Sequence, residues 1–170
     1  LEQCLYPVTP KVKIGEDAAF TYPCLLAAES LAYVDGCLYH YRNNAQSMTA
    51  AFDPHLTETI FIPLDILRTY FDTDKRALFA QYQMYAAYLL QLWVRNQASL
   101  DCDLDRKGLR QSCARVCQNQ ELRALLASVP GALPRQVAVA VCAVQQQKPG
   151  QLYLLIKAWN LYYKLRNGRA

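Results

Sequence analysis

The spacing of apolar residues divides the chain near residue 50. From residue 51 onward, apolar positions recur every three or four residues, which is the spacing of one face of an α-helix. The first of these helices is predicted to begin at Asp53 and Pro54, as cap and first helical residue, and to run to about Phe71 with a kink or break at Pro63. Further helices are predicted over 72–99, 103–118, 119–128, 134–147 and 150–167.

The first 50 residues have a mixed pattern. A helix is predicted from Asp17 to about Ser30, and two short strands, "LAYVD" and "CLYHYR", follow around the turn residues Asp35 and Gly36. The predicted fold is therefore mainly α, with a helical domain over 51–170 after a small α/β segment over 1–50. One helix and two short strands do not make a stable sheet domain alone, so we expect 1–50 to be the end of a larger fold.

The composition is that of a globular protein, with 53% hydrophobic and 19% charged residues. The odd number of cysteines, in a helix-like apolar context, favours free thiols in a reducing compartment. Cys113 and Cys117 would share a helix face, but no further Cys or His completes a zinc site. The seven cysteines are Cys4, Cys24, Cys37, Cys102, Cys113, Cys117 and Cys142.

Charge is distributed unevenly along the chain. The last 49 residues contain seven basic residues and no acidic one, so a net positive charge is concentrated in this tail. In the last predicted helix, a narrow polar stripe runs along an otherwise apolar surface; its members are Lys157, Asn160, Lys164 and Asn167. Such a helix either packs into the core, which we take as the default, or makes peripheral contact with an anionic membrane through 150–170. Nucleic-acid binding is not expected, because the basic residues belong to no known binding motif.

Two adjacent carboxylates, Glu16 and Asp17, follow Gly15 at the start of the first helix. Acidic residues are favoured at helix N-termini by the free N–H groups and the helix dipole, so residue type alone favours a structural role. The surrounding sequence favours chemistry. "GEDAAF", then "AYVDGCLYHYR", then Ser47 resembles the carboxyl-terminal signature of family 2 glycosyltransferases, the inverting GT-A enzymes that use nucleotide-diphosphate sugars.

The resemblance implies a role for each matched residue. Asp17 would be the general base that takes the proton of the acceptor hydroxyl, and Glu16 would orient the acceptor or the base. Arg42 and Ser47 would bind the diphosphate of the donor. His40 would serve there too or as a metal ligand, whereas without the resemblance it is a hydrogen-bonded strand histidine.

The nucleotide-binding half of that family and its Asp-x-Asp element precede the matched segment and are missing here. Asp103 and Asp105 have the Asp-x-Asp spacing, but they lie in the helical part, where they predict a loop or a helix start. A divalent metal, Mg or Mn, is expected for the complete enzyme, and this chain alone is expected to be inactive.

The resemblance further implies a nucleotide-sugar donor, a saccharide or lipid-linked acceptor and a role in cell-envelope or capsular polysaccharide synthesis. The expected location is the cytoplasm, with peripheral contact at the inner face of the membrane as an extension. The alternative is a non-catalytic helical module that packs on a partner or a membrane and keeps degenerate transferase features.

Overall fold

A computed structural model describes residues 12, 14–39, 51–68, 70–71 and 76–168. Within these residues the chain forms eight α-helices and no β-strand. None of the described helices is long and apolar enough to cross a membrane. The helices are α1 (Glu16–Ala27), α2 (Leu56–Thr59), α3 (Ile62–Arg68), α4 (Arg76–Gln97), α5 (Arg106–Gln118), α6 (Gln120–Leu126), α7 (Arg135–Gln145) and α8 (Pro149–Arg166).

The helical prediction for 51–170 is confirmed in the described residues, and local sequence signals explain several of the boundaries. Asp105 caps α5 by accepting a hydrogen bond from Gly108 N–H at 2.6 Å, and Asn119 caps α6 by accepting from Leu122 N–H at 2.9 Å. The break predicted near Pro63 is also present, because α2 ends at Thr59 and α3 begins at Ile62.

Helix α4 is the centre of the core. It packs against α2, α3, α6, α7 and α8, and its Trp93, Leu89 and Leu90 are fully buried. Polar atoms on α4 are satisfied by its neighbours: Trp93 Nε1 donates to Thr57 Oγ1 at 3.0 Å, and Gln83 Nε2 donates to Ser128 Oγ at 2.9 Å. The uncharged run over 77–94 thus belongs to a helix of the core.

Helix α1 packs on this helical body through α3 and through aromatic side chains. Its Ala19 and Pro23 are buried, while Ala18 and Leu26 are partly buried against the core. The ring of Tyr22 meets the ring of Phe71 edge-on, with centroids 6.3 Å apart. The proposed division of the chain at residue 50 stays a prediction, since these contacts join α1 to the helices without testing where a domain ends.

The predicted strand pair is not found in the described residues. Residues 28–39 are neither helical nor in a strand, and the part of the second strand from His40 to Arg42 lies outside the described residues. Tyr33 is 89% exposed and Leu38 82% exposed, so this segment buries neither face. Alternating apolar residues form a strand only where a neighbouring strand accepts their hydrogen bonds, and the described residues supply none.

Helix α8 differs in part from its predicted packing. Leu152 and Ile156 are fully buried and Trp159 packs against the core, as the core-packing interpretation requires. Asn160, a member of the predicted polar stripe, donates hydrogen bonds to the carbonyl oxygens of Ala98 at 3.2 Å and Ser99 at 3.1 Å. This amide therefore fixes α8 to the carboxyl end of α4.

Candidate active site at the start of helix α1

The backbone at Gly15 sets the direction in which α1 begins. Gly15 has φ +86°, in the left-handed region that side chains disfavour, and its carbonyl oxygen accepts the first helical hydrogen bond from Ala19 N–H at 2.9 Å. A Cβ atom here would overlap the hydroxyl oxygen of Tyr85 and lie 3.2 Å from Cγ of Pro63. Both conformation and space therefore require glycine at this position.

The two carboxylates occupy the first turn of α1 and are exposed to solvent. Neither forms a salt bridge with another described residue. Asp17 Oδ1 accepts a hydrogen bond from Ala18 N–H at 2.7 Å, whereas the N-cap residue, Gly15, provides no side-chain cap. The two acidic residues thus lie in the first turn of α1, where the helix dipole favours them, but neither is the N-cap residue.

An aromatic cluster lies beside the carboxylates and connects them to α4. Tyr22 meets Tyr85 edge-on, with ring centroids 5.8 Å apart and an interplanar angle of 90°. Tyr85 in turn lies against Tyr88 at 6.3 Å, and Tyr88 and Phe20 are both largely exposed. Exposed aromatic rings beside carboxylates are a surface to which a saccharide could bind, through ring faces and hydroxyl hydrogen bonds.

The hydroxyl group of Tyr85 is buried and has no hydrogen-bond partner among the described residues. Burial raises the pKa of Tyr85 well above its ordinary value, and the negative charge of Asp17 adds to this rise. The Asp17 carboxylate is therefore close enough for its charge to act on the Tyr85 phenol. The phenol stays protonated at neutral pH.

The predicted donor-side residues His40, Arg42 and Ser47 lie outside the described residues, so their distance from Asp17 stays a prediction. Within the described part of the chain, no group of three His, Cys, Asp or Glu side chains is arranged to hold a metal ion. Asp105 is the cap of α5, which confirms that the Asp-x-Asp spacing at 103–105 marks a helix start.

A second group of acidic residues, between α3 and α6, is structural. Glu121 forms a salt bridge with Arg68 at 3.2 Å, and Glu58 forms one with Arg115 at 3.1 Å. Burial and the neighbouring Asp65 raise the pKa of Glu121, while Arg68 opposes that rise. The cavity that Glu58, Asp65 and Glu121 line has a volume of only about 130 Å³. The two salt bridges link α3 to α6 and α2 to α5 at the surface, where such pairs contribute little to stability.

The six described thiols give no sign of reactive chemistry. The six described cysteines are free, and Cys4 lies outside the described residues. Burial raises the pKa of Cys113 to about 12 and that of Cys117 to about 11, so both are neutral thiols of the core at neutral pH.

Sequence reasoning identified the carboxylates but missed their aromatic neighbours. Tyr85 follows Asp17 by 68 residues, with two predicted strands and a predicted helix between them, and no local pattern joins the two residues. The abundance of tyrosine, with 12 in the chain, was the only available signal, and it points to no particular position.

Comparison of the chain with protein-family models, with curated proteins and with solved structures gave no match. The resemblance to family 2 glycosyltransferases therefore rests on the motifs of residues 13–49 alone.

Proposed function

We propose that this chain is the acceptor-side part of an inverting glycosyltransferase with an attached helical domain. The observation that carries the proposal is the pair of exposed carboxylates at the start of α1, which form no salt bridge with another described residue and directly follow a glycine whose backbone and surroundings disfavour any side chain. The order of motifs after this pair, over residues 31–47, adds to it. The proposed acceptor is a saccharide or a lipid-linked saccharide used in envelope or capsular polysaccharide synthesis, on the cytoplasmic side of the membrane.

The reaction is a single displacement at the anomeric carbon of the donor sugar. The acceptor oxygen attacks, the bond from the anomeric carbon to the diphosphate oxygen breaks, and the configuration at that carbon inverts. An alcohol is a poor nucleophile until a base removes its proton, and the exposed carboxylate of Asp17 can receive that proton. Glu16, on the same turn, accepts a hydrogen bond from a second acceptor hydroxyl and so orients the sugar.

The donor side of the site is assigned to residues outside the described ones. Arg42 and Ser47 are proposed to bind the diphosphate, with His40 beside them, because charge accumulates on this group as it leaves. A divalent cation, Mg or Mn, would stabilise the same charge in the complete enzyme. The described residues contain no donor set that fits such an ion, so none of the steps above is assigned to a metal.

A transfer assay on the complete protein tests the proposal. A panel of nucleotide-diphosphate sugars and saccharide acceptors is screened for acceptor-dependent release of nucleoside diphosphate, and NMR of the product gives the anomeric configuration. We expect release with one donor and an inverted product. Retention of configuration, or no release with any pair in the panel, would contradict the proposal.

Glu16→Gln separates orientation from proton transfer. Its carboxamide keeps the size of the side chain but accepts hydrogen bonds more weakly, so we expect the KM for the acceptor to rise more than kcat falls. Glu29→Gln, an exposed residue just beyond α1, is the matched control and should leave both unchanged. Under the alternative of a non-catalytic helical module, neither variant nor the wild-type protein transfers sugar.

A further inference from the structure

One face of α8 is apolar and uncovered. Its other face is buried, through Leu152 and Ile156, but four large apolar side chains point away from the core. At 3.6 residues per turn these side chains and Ala158 form one stripe along the helix. We call this stripe the outer face of α8; its large members are Leu154 (66% exposed), Leu161 (56%), Tyr162 (56%) and Leu165 (61%).

Cations border the outer face. Lys157 and Lys164 follow one edge of the stripe, and Arg166 lies near its other edge at the carboxyl end. Within the described residues none of these three forms a salt bridge, and the chain has no acidic residue after Glu121. The charged residues of α8 itself are thus all positive.

The amino end of α8 forms one wall of a basic cleft. An open cleft of about 770 Å³ lies between the first turns of α5 and α8, and three cations line it: Arg106, Arg110 and Lys148. The guanidinium of Arg110 lies 5.3 Å from the centre of the Tyr153 ring, which holds it at the cleft. None of these cations forms a salt bridge with a described carboxylate.

The turn between α7 and α8 places Lys148 at this cleft. Gln147 has a left-handed backbone, with φ +51°, and Lys148 N–H donates to the carbonyl oxygen of Ala143 at 2.8 Å. The sharp turn directs the amino end of α8, which carries positive partial charge, towards the same space as the guanidinium groups. Arginine forks and a helix terminus together favour a phosphate-bearing ligand.

Leu154 joins the cleft to the outer face. It lines the cleft together with Tyr153 and is also the first large member of the exposed stripe. The cleft and the stripe are therefore one continuous surface, with phosphate-binding chemistry at one end, apolar side chains along its middle and cations at its border.

We propose that this surface docks the protein on an anionic lipid bilayer. Leu161, Tyr162 and Leu165 enter the boundary between headgroups and acyl chains, the bordering lysines contact lipid phosphates, and the cleft holds the phosphate of one headgroup. The helix lies in the plane of the interface, with its buried face still packed on the core.

Charge favours a bilayer over a second copy of the chain. A symmetric contact through the outer face would bring Lys157, Lys164 and Arg166 against the same cations of the partner, with no carboxylate on α8 itself to neutralise them. An anionic bilayer is complementary both to the stripe and to its border. The proposal does not depend on the transferase activity and can fail independently of it.

Vesicle co-sedimentation tests the docking surface. The protein is titrated with phosphatidylcholine vesicles that contain or lack phosphatidylglycerol, at low and high salt. We expect binding only to the anionic vesicles, and weaker binding at high salt. Lys157→Gln/Lys164→Gln should lower the partition coefficient roughly 25-fold, which is about fivefold for each cation. Arg106→Gln/Arg110→Gln should lower it by a similar factor, about 25-fold.

The apolar part is tested with Leu161→Ser/Leu165→Ser, which should weaken binding roughly tenfold or more. All these side chains are exposed, so folding is expected to be unaffected, and circular dichroism and thermal unfolding check this. The matched controls are Arg135→Gln and Val139→Ser, exposed residues of α7 that should leave binding unchanged.

Three results would overturn the proposal. The first is no binding to anionic vesicles at low salt, or equal binding to neutral ones. The second is a concentration-dependent dimer in sedimentation velocity that Leu161→Ser abolishes, together with no vesicle binding. The outer face would then be the interface between two copies of the chain. The third is loss of inorganic phosphate binding in Arg106→Gln/Arg110→Gln while vesicle binding stays at the wild-type level, because the cleft is then a site for free phosphate.

Discussion

Gly15 lies so close to Tyr85 that the hydroxyl oxygen of the tyrosine occupies the position where a Cβ atom of residue 15 would stand. This contact joins the turn that starts α1 to the middle of α4. The candidate carboxylates Glu16 and Asp17 come directly after this glycine, so their position depends on a side chain about 70 residues away in the sequence. The helical body thus fixes the start of the proposed acceptor site.

We expect Gly15→Ala to be strongly destabilising. The left-handed backbone costs an alanine roughly 1–2 kcal/mol, and the overlap with Tyr85 adds a packing penalty, so the free energy of unfolding should fall by about 2 kcal/mol or more. Urea unfolding measures this change. Gly131→Ala is the control, because Gly131 has φ +79° but nothing within 4 Å of its added Cβ. Equal losses in the two variants would contradict the role of Tyr85.

Removal of the Tyr85 hydroxyl should cost little, because this buried group has no hydrogen-bond partner among the described residues. Tyr85→Phe is expected to change the free energy of unfolding by less than about 0.5 kcal/mol or to stabilise the protein. Tyr82→Phe, by contrast, removes a hydrogen bond of 2.5 Å to the carbonyl oxygen of Leu64 and should cost about 1 kcal/mol. A larger loss for Tyr85→Phe than for Tyr82→Phe would be inconsistent with this geometry.

A double variant, Gly15→Ala/Tyr85→Phe, tests the contact between residue 15 and the Tyr85 hydroxyl further. In Gly15→Ala/Tyr85→Phe the overlapping oxygen is absent, so the double variant should be more stable than the sum of the single changes predicts. The interaction energy is expected on the order of 1 kcal/mol.

Asp105 caps α5 and Asp103 does not, so substituting each of them by alanine isolates the effect of the cap. Asp105→Ala removes the side-chain cap of α5 and should lower the free energy of unfolding by about 1 kcal/mol. Asp103→Ala changes the same charge on an exposed residue that caps no helix and should have an effect below about 0.5 kcal/mol. Chemical denaturation of both variants measures the two free energies of unfolding. A larger loss for Asp103→Ala than for Asp105→Ala would contradict the cap as the cause.

We expect the two buried thiols, Cys113 and Cys117, to make the folded protein less stable at alkaline pH. Burial raises the pKa of Cys113 from 9.0 to about 12 and that of Cys117 from 9.0 to about 11. Above pH 9 the unfolded thiols lose protons that the folded thiols keep, so the unfolded state binds fewer protons and stability falls as the pH rises. The contribution is fully present below about pH 9 and is lost progressively towards about pH 11–12.

Unfolding free energies measured from about pH 8 to about pH 11 should show this slope. Cys113→Ala/Cys117→Ala should flatten it in part, since Tyr82 and Tyr85 also have raised pKa values and act with the same sign at higher pH. Cys37→Ala, which changes an exposed thiol, should leave the slope as it is. An unchanged slope in the double variant would show that these thiols are not the cause.

The helices were predictable where local signals and periodicity agree. Asp105 lies at a predicted loop or helix start, Asn119 begins the predicted helix over 119–128, and both cap helices in the structure. The predicted helix over 72–99 is observed as α4. The strand at 31–35 failed because strand propensity is realised only beside a partner strand, which the sequence of one segment does not reveal. The apolar residues of α8 could not be divided into core and surface, because both faces carry leucine and tyrosine.

The candidate site was predictable only at its carboxylates. Glu16 and Asp17 stand next to each other in the sequence and begin a helix, so a linear motif finds them. Tyr22 and Tyr85 meet through the packing of α1 on α3 and α4, and such long-range contacts leave no mark on spacing or composition. The same holds for the cleft formed by Arg106, Arg110 and Lys148, which come together only when α5 packs against α8.

The central claim is that Asp17 is the general base of sugar transfer, and the most direct test is the kcat of Asp17→Asn in the complete protein at saturating donor and acceptor. The carboxamide keeps the shape of the side chain but cannot take up the proton, so kcat should fall about 10²–10⁴-fold while the thermal unfolding temperature and the KM for the acceptor change little. Asp101→Asn, which alters an exposed aspartate after α4, should keep the wild-type kcat. A kcat for Asp17→Asn equal to that of Asp101→Asn would contradict the assignment.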